Sequence, residues 1–215
     1  MRITKKKNSK FASLIEKHIK QNLKEYFIVS ILLIIGIIIG VIFINNIEDA
    51  QKLEIQTYLN EFISAIKNGA KIDTFSLMKK TIGSNILVAI IMWFVGSTVI
   101  GIPIVLGMVV YRGFCLGYSI ASAIAVWGTF DGTMFFITTM LLQNLIFIPC
   151  IIGLAVSGIK VYQSITNNRR KENIKLEILR HTLFSVIMLI LLLVSAILES
   201  YVSSNLLMLY VPYIK

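Results

Sequence analysis

Thr81–Phe130 reads TIGSNILVAIIMWFVGSTVIGIPIVLGMVVYRGFCLGYSIASAIAVWGTF, 50 residues whose only charged side chain is Arg112. A bilayer core of about 30 Å is crossed by roughly 20 apolar helical residues. The stretch is therefore too long for one crossing and suited to two. A guanidinium at mid-bilayer costs several kcal/mol. This predicts that Arg112 is the hinge of a helical hairpin, snorkelling to one membrane face between spans at 82–111 and 113–130.

The totals agree with a membrane protein. The chain has 215 residues, of which 56% are hydrophobic and only 15% charged, with a mean hydropathy of +0.81. Soluble domains average about 25% charged residues. Residues 1–215 therefore read as a single membrane domain, with no room for a separate catalytic one. The net charge of +10 does not point to nucleic acid, because its lysines and arginines flank apolar segments as topology signals and lipid-headgroup contacts do. Cys115 and Cys150 both fall inside predicted spans and offer no disulfide framework.

Outward from the hairpin, residues 1–25 are strongly basic. Phe11, Leu14, Ile15, Ile19 and Leu23 give them a short amphipathic stripe for the membrane surface, with His18 at headgroup level. Residues 26–45 are uncharged and form the first span, read as an uncleaved helix whose Gly36 and Gly40 make a GxxxG pair. Residues 47–80 are the polar interlude. In them Ile55, Leu59, Phe62, Ile63 and Ile66 mark an amphipathic helix from about Glu48 to Ile66, ended by Asn68-Gly69. Pro103 predicts a bend in the first hairpin arm. Gly113, Gly117, Ala121 and Ala125 give the second arm a small-residue seam that would allow a homodimer. Asp131-Gly132 is a turn signal. Span four, 133–159, carries Gln143, Asn144 and Pro149 near mid-depth, and the amides must find interhelical partners. A basic cytoplasmic loop at 160–181 leads to span five, 182–203, with Glu199 near its far end and an apolar interfacial tail after it.

Five spans put the termini on opposite sides. Fifteen of the lysines and arginines fall on the amino-terminal side, counting Arg112, and six on the other. The positive excess marks cytoplasm. The fold class is therefore an all-α integral membrane protein of five transmembrane helices, N-terminus in and C-terminus out. Its amphipathic helix is extracytoplasmic, and Ile55, Leu59, Phe62 and Ile66 are the candidate partner-docking residues.

No HExxH, CxxC, GxSxG or P-loop is present, and no base stands near the intramembrane hydroxyls. No catalytic, cofactor or metal residue is assigned. Glu199 is the ionisable group of the last span, and intramembrane carboxylates carry function by default.

Taken together, Trp93, Gly96, Gly101-Ile102-Pro103, Arg112-Gly113-Phe114 with Gly117, Gln143-Asn144-Leu145, Ile148-Pro149 and Glu199-Ser200-Tyr201 resemble the stage II sporulation protein M family. Ser200 stands where that family usually has alanine. The resemblance implies a non-catalytic scaffold in the septal, mother-cell membrane of a sporulating bacterium. It would recruit peptidoglycan hydrolases, a lytic transglycosylase and an amidase/endopeptidase, during engulfment. The alternative is a permease subunit, alone or with an ATPase, with Gln143, Asn144 and Glu199 along its path.

Overall fold

The computed structural model describes residues 18–166 and 172–214, and every regular element among them is helical. Helix α1, Leu23–Asn46, is apolar on all sides. Ile34 and Ile42 leave about half their surface exposed, as a lipid-facing helix does. Helix α2, Asp49–Lys67, is the amphipathic one and ends before Gly69, whose φ of 91° reverses the chain. Asp73 then caps α3, Thr74–Gly96, accepting hydrogen bonds from the backbone N–H groups of Phe75 and Ser76 at 3.1 and 3.2 Å. Those donors, Ser76 foremost, hold the Asp73 carboxyl below its ordinary range.

Here the structure departs from the predicted hairpin. The chain breaks at residues 97–100, and α4 runs Gly101–Phe136 straight through Arg112. Arg112 is not a hinge and does not lie at a helix end. Pro103 does not bend an arm either. It is the third residue of α4, where a backbone N–H would have no intrahelical acceptor, so proline costs little. The actual reversal is at Gly128, with φ 81° and ψ 173°. Beyond it Gly132 packs on the backbone of Ala123 and Ile124, and any side chain there would collide with them. A π-helical turn, Ile137–Leu141, leads into α5, Leu142–Thr166, which continues through Pro149. Helix α6, Glu172–Ile197, is followed by a second π turn, Leu198–Ser203, then α7, Ser204–Tyr210, and a 3₁₀ turn at Val211–Tyr213.

Among the described residues four apolar stretches are long enough to cross a membrane, Leu23–Asn46, Thr74–Gly96, Gly101–Thr166 and Ile174–Tyr213. The third spans 66 residues and folds back on itself at Gly128. The loop expected at 160–181 is shorter, because α5 reaches Thr166 and α6 begins at Glu172. Most of the basic amino-terminal segment (1–17), Arg169–Lys171 and Lys215 lie outside the described residues.

The tightest joint is between α1 and the first arm of α4. Gly36 and Gly40 lie against the carbonyls of Val110 and Phe114, while Gly113 and Gly117 lie against those of Leu33 and Ile37. The glycines of both small-residue seams thus meet within one chain, while Ala125 of the second seam stays exposed. The core is built on Val29, Met92, Val105, Val109, Leu154 and Leu192, all fully buried. At one end of the bundle Lys160 bonds Glu25 at 2.8 Å, and His18 stacks on Phe184 with centroids 4.2 Å apart. At the opposite end Lys67 donates to the Ile214 carbonyl (2.7 Å), Trp127 to Asn60 (2.9 Å) and Tyr210 to Asp131 (3.0 Å). This tail end also gathers Ile63, Leu207, Val211 and Ile214 into a small apolar cluster.

Candidate functional site

The reversal at Gly128 determines which polar residues meet. Arg112 lies sixteen residues before it and Asn144 sixteen after, so the antiparallel arms bring the two side by side. Arg112 Nη2 donates to Asn144 Oδ1 at 2.9 Å, and the guanidinium carbon sits 4.1 Å above the Phe147 ring. Asn144 Nδ2 in turn donates to the Met140 carbonyl at 2.8 Å, a group supplied by the π turn. Arg112 is eleven residues into α4, about 16 Å along the axis and thus near the middle of a 30 Å core. An intramembrane charge is tolerable only against the bundle interior with partners, and here it has an amide and an aromatic face.

Arg112 and Asn144 line a cavity of about 510 Å³ bounded by α3, α4, α5 and the π turn at Leu198–Ser203. Glu199 also lines it, as does Thr81 on α3. Arg112 and Glu199 are near enough to attract one another, yet no ion pair joins them. Arg112 Nε and Glu199 Oε2 are both buried and have no hydrogen-bond partner among the described residues. The rim carries exposed Lys80 and Ser84 on α3 and Tyr111, 68% exposed, on α4. Below the cavity the bundle is packed shut by Val105, Leu154 and Leu192.

Among the residues singled out from sequence, Arg112, Gln143, Asn144 and Glu199 converge on this cavity. Gly113 and Gly117 serve the α1 joint instead, Pro103 starts a helix, and Pro149 is accommodated within α5. The carbonyl of Gln143 accepts from Ser195 at 3.1 Å. Thr81, Phe147 and Lys80 were not anticipated; hydroxyl, ring and rim cation become meaningful only once Arg112 is known to lie inside. His181 was assigned to a loop but is buried, its Nδ1 2.9 Å from Ser157 Oγ and its Nε2 3.2 Å from the Trp93 carbonyl. Among the described residues no three His, Cys, Asp or Glu side chains gather to hold a metal.

All the cavity's deep polar residues, from Thr81 to Glu199, fall within residues 29–204, the segment that matches the stage II sporulation protein M family. The chain belongs to that family. Stage II sporulation protein M membership makes it a multi-pass membrane protein of sporulation and engulfment, in a family that is generally non-catalytic. Neither a curated protein nor a solved structure matches the chain.

The candidate docking helix, α2, is divided by its own bundle. Ile63 and Ile66 pack into the tail-end cluster, and Ile55 and Leu59 are half-buried. Phe62 stays exposed, as does Tyr58 one turn before it at 70%; Leu53, 62% exposed, lies nine residues away on another face of the helix.

Proposed function

We propose that this protein is a non-catalytic membrane scaffold that crosses the bilayer five times and holds peptidoglycan hydrolases, a lytic transglycosylase and an amidase/endopeptidase, at the septal membrane during engulfment. The observation that carries the reading is the tail end of the bundle. There α2 is pinned by Lys67, Asn60 and Ile63 while Leu53, Tyr58 and Phe62 remain uncovered. A helix fixed in place with aromatic residues free is a rigid platform, and rigid aromatic anchors carry much of the energy at protein interfaces.

The orientation follows from charge. With Arg112 inside the bundle, fourteen lysines and arginines of the sequence fall before the first span or in the 160–181 stretch, and six in residues 47–80 or after the last span. The positive-inside rule then puts the N-terminus in the cytoplasm and both α2 and the C-terminus outside, facing the wall.

The permease reading gains from the polar cavity. It is weakened by the fully buried apolar core of Val105, Leu154 and Leu192 among the described residues. The experiment is co-purification from sporulating cells in mild detergent, comparing the native chain with a Leu53→Ser, Tyr58→Ser and Phe62→Ser variant. Hydrolases lost from the variant while it stays in the membrane support the scaffold. Undiminished recovery overturns α2 as the platform.

A further inference from the structure

We propose that the Arg112–Glu199 cavity is a binding site for a small zwitterion, its anionic group held at Arg112 and its ammonium at Glu199. The first observation is a pair of oppositely charged side-chain types, each left with one unpartnered polar atom. Arg112 and Glu199 both line the same 510 Å³ space, and Arg112 Nε and Glu199 Oε2, buried just behind its wall, lack hydrogen-bond partners among the described residues. Leaving a buried charged group unsatisfied costs more than leaving a neutral one so. A lone anion would satisfy Arg112 and be repelled by Glu199, and a lone cation would meet the reverse. A molecule carrying both charges completes both groups at once.

The second observation is that the backbone is shaped for the site. Two π turns, Ile137–Leu141 and Leu198–Ser203, stand on facing helices, one just before Asn144 and one containing Glu199. Such turns add a residue to the helix and redirect the side chains around it, and they recur at functional sites. The Asn144–Arg112–Phe147 contacts hold the guanidinium with one edge committed and Nε free. The volume lies within the range of about 300–1,000 Å³ usual for small-ligand pockets. Ser84 and Tyr111 are exposed on the flank of the bundle, and Lys80 at its tail end. A free zwitterion from the outer side and the headgroup of an aminophospholipid share this chemistry.

The test uses the full-length chain in detergent, read by thermal midpoint and by titration. In the soluble arm glycerophosphoethanolamine is compared with glycerol phosphate. In the lipid arm phosphatidylethanolamine is compared with phosphatidylglycerol. A zwitterion should raise the midpoint where its purely anionic counterpart does not, and the responding arm identifies the source. Glu199→Gln should weaken zwitterion binding by about tenfold or more, the worth of one charge-assisted hydrogen bond, and erase the preference over the anion. No shift in either arm, equal shifts for zwitterion and anion, or an unchanged preference in Glu199→Gln overturns the proposal. Should Glu199→Gln not fold, Ser84→Trp at the exposed rim takes its place. Loss of the shift then supports the site, and its retention overturns it.

Discussion

Arg112 shows how a single residue can be expensive and stable at once. Its cost in hydrocarbon is offset by Asn144, Phe147 and the polar volume it faces. Asn144→Leu removes the amide and leaves a buried guanidinium donor unpaired, which typically costs about 1–3 kcal/mol. The thermal midpoint in detergent should fall by several degrees. An Arg112→Leu/Asn144→Leu double variant should lose less than the sum of the two single ones, because residues that share a bond are not additive. His18 makes a pH prediction. Burial first, then the nearby Lys160 charge, holds its imidazole below the ordinary value of 6.5. The folded arrangement, stacked on Phe184 and bonded to the Tyr26 hydroxyl at 3.1 Å, therefore prefers the neutral ring. At pH above about 6.5 that preference costs nothing, and it becomes a penalty as pH falls below the unfolded value. Hydrogen-exchange protection around residues 18–26, the observed rate set against the intrinsic rate at each pH, should fall as pH drops below about 6.5 in the native chain and hold in His18→Phe.

Among the elements, the crossing of α1 with α4 depends on four glycines that face carbonyls directly. Gly36→Leu or Gly117→Leu must push two backbones apart, and overpacking of this kind typically costs about 1–3 kcal/mol or more. Both variants should lower the midpoint and the yield of monodisperse protein. Gly83 and Gly107 have open space where a side chain would be. Alanine there should be neutral or stabilising by about 0.5–1 kcal/mol, because glycine in a helix is the more costly residue.

The elements were unevenly legible from sequence. The ends of α2 were readable from Ile55, Leu59 and Ile66 at one extreme and Asn68-Gly69 at the other, because amphipathic period and turn chemistry are local signals. The hairpin was not. Charge placement pointed to Arg112 as a hinge, since a sequence cannot reveal that an amide 32 positions later lies beside it. The correct signals were nonetheless present. Gly101 and Pro103 are a helix start, and Gly128 is a residue able to take a positive φ just ahead of Asp131-Gly132. They were outweighed by the rule that charges avoid hydrocarbon, which holds only for charges without partners.

Across the whole molecule, the two ends have different jobs. The His18 end is tied by the Glu25–Lys160 ion pair, and the tail end clamps α2 to the C-terminal turn through Lys67 and Ile214. The proposed topology makes a direct prediction for intact cells. Cysteines introduced at Tyr58 and at Leu209, both about 70% exposed, should react with a membrane-impermeant maleimide from outside. Arg112→Cys should remain protected. Labelling of the Tyr58 position only after lysis would reverse the orientation.

The glycine crossing also bears on how the chain is made. Helix α1 leaves the ribosome well before its closest companion, residues 110–118, more than sixty positions downstream. Until those residues are synthesised, its two glycine notches face acyl chains or whatever chaperone is nearby. The bilayer insertion machinery therefore has to release or shelter a lone hydrophobic rod through the synthesis of α2 and the whole of α3. Biogenesis of this protein should be most vulnerable in that interval, to truncation or to a slowed ribosome.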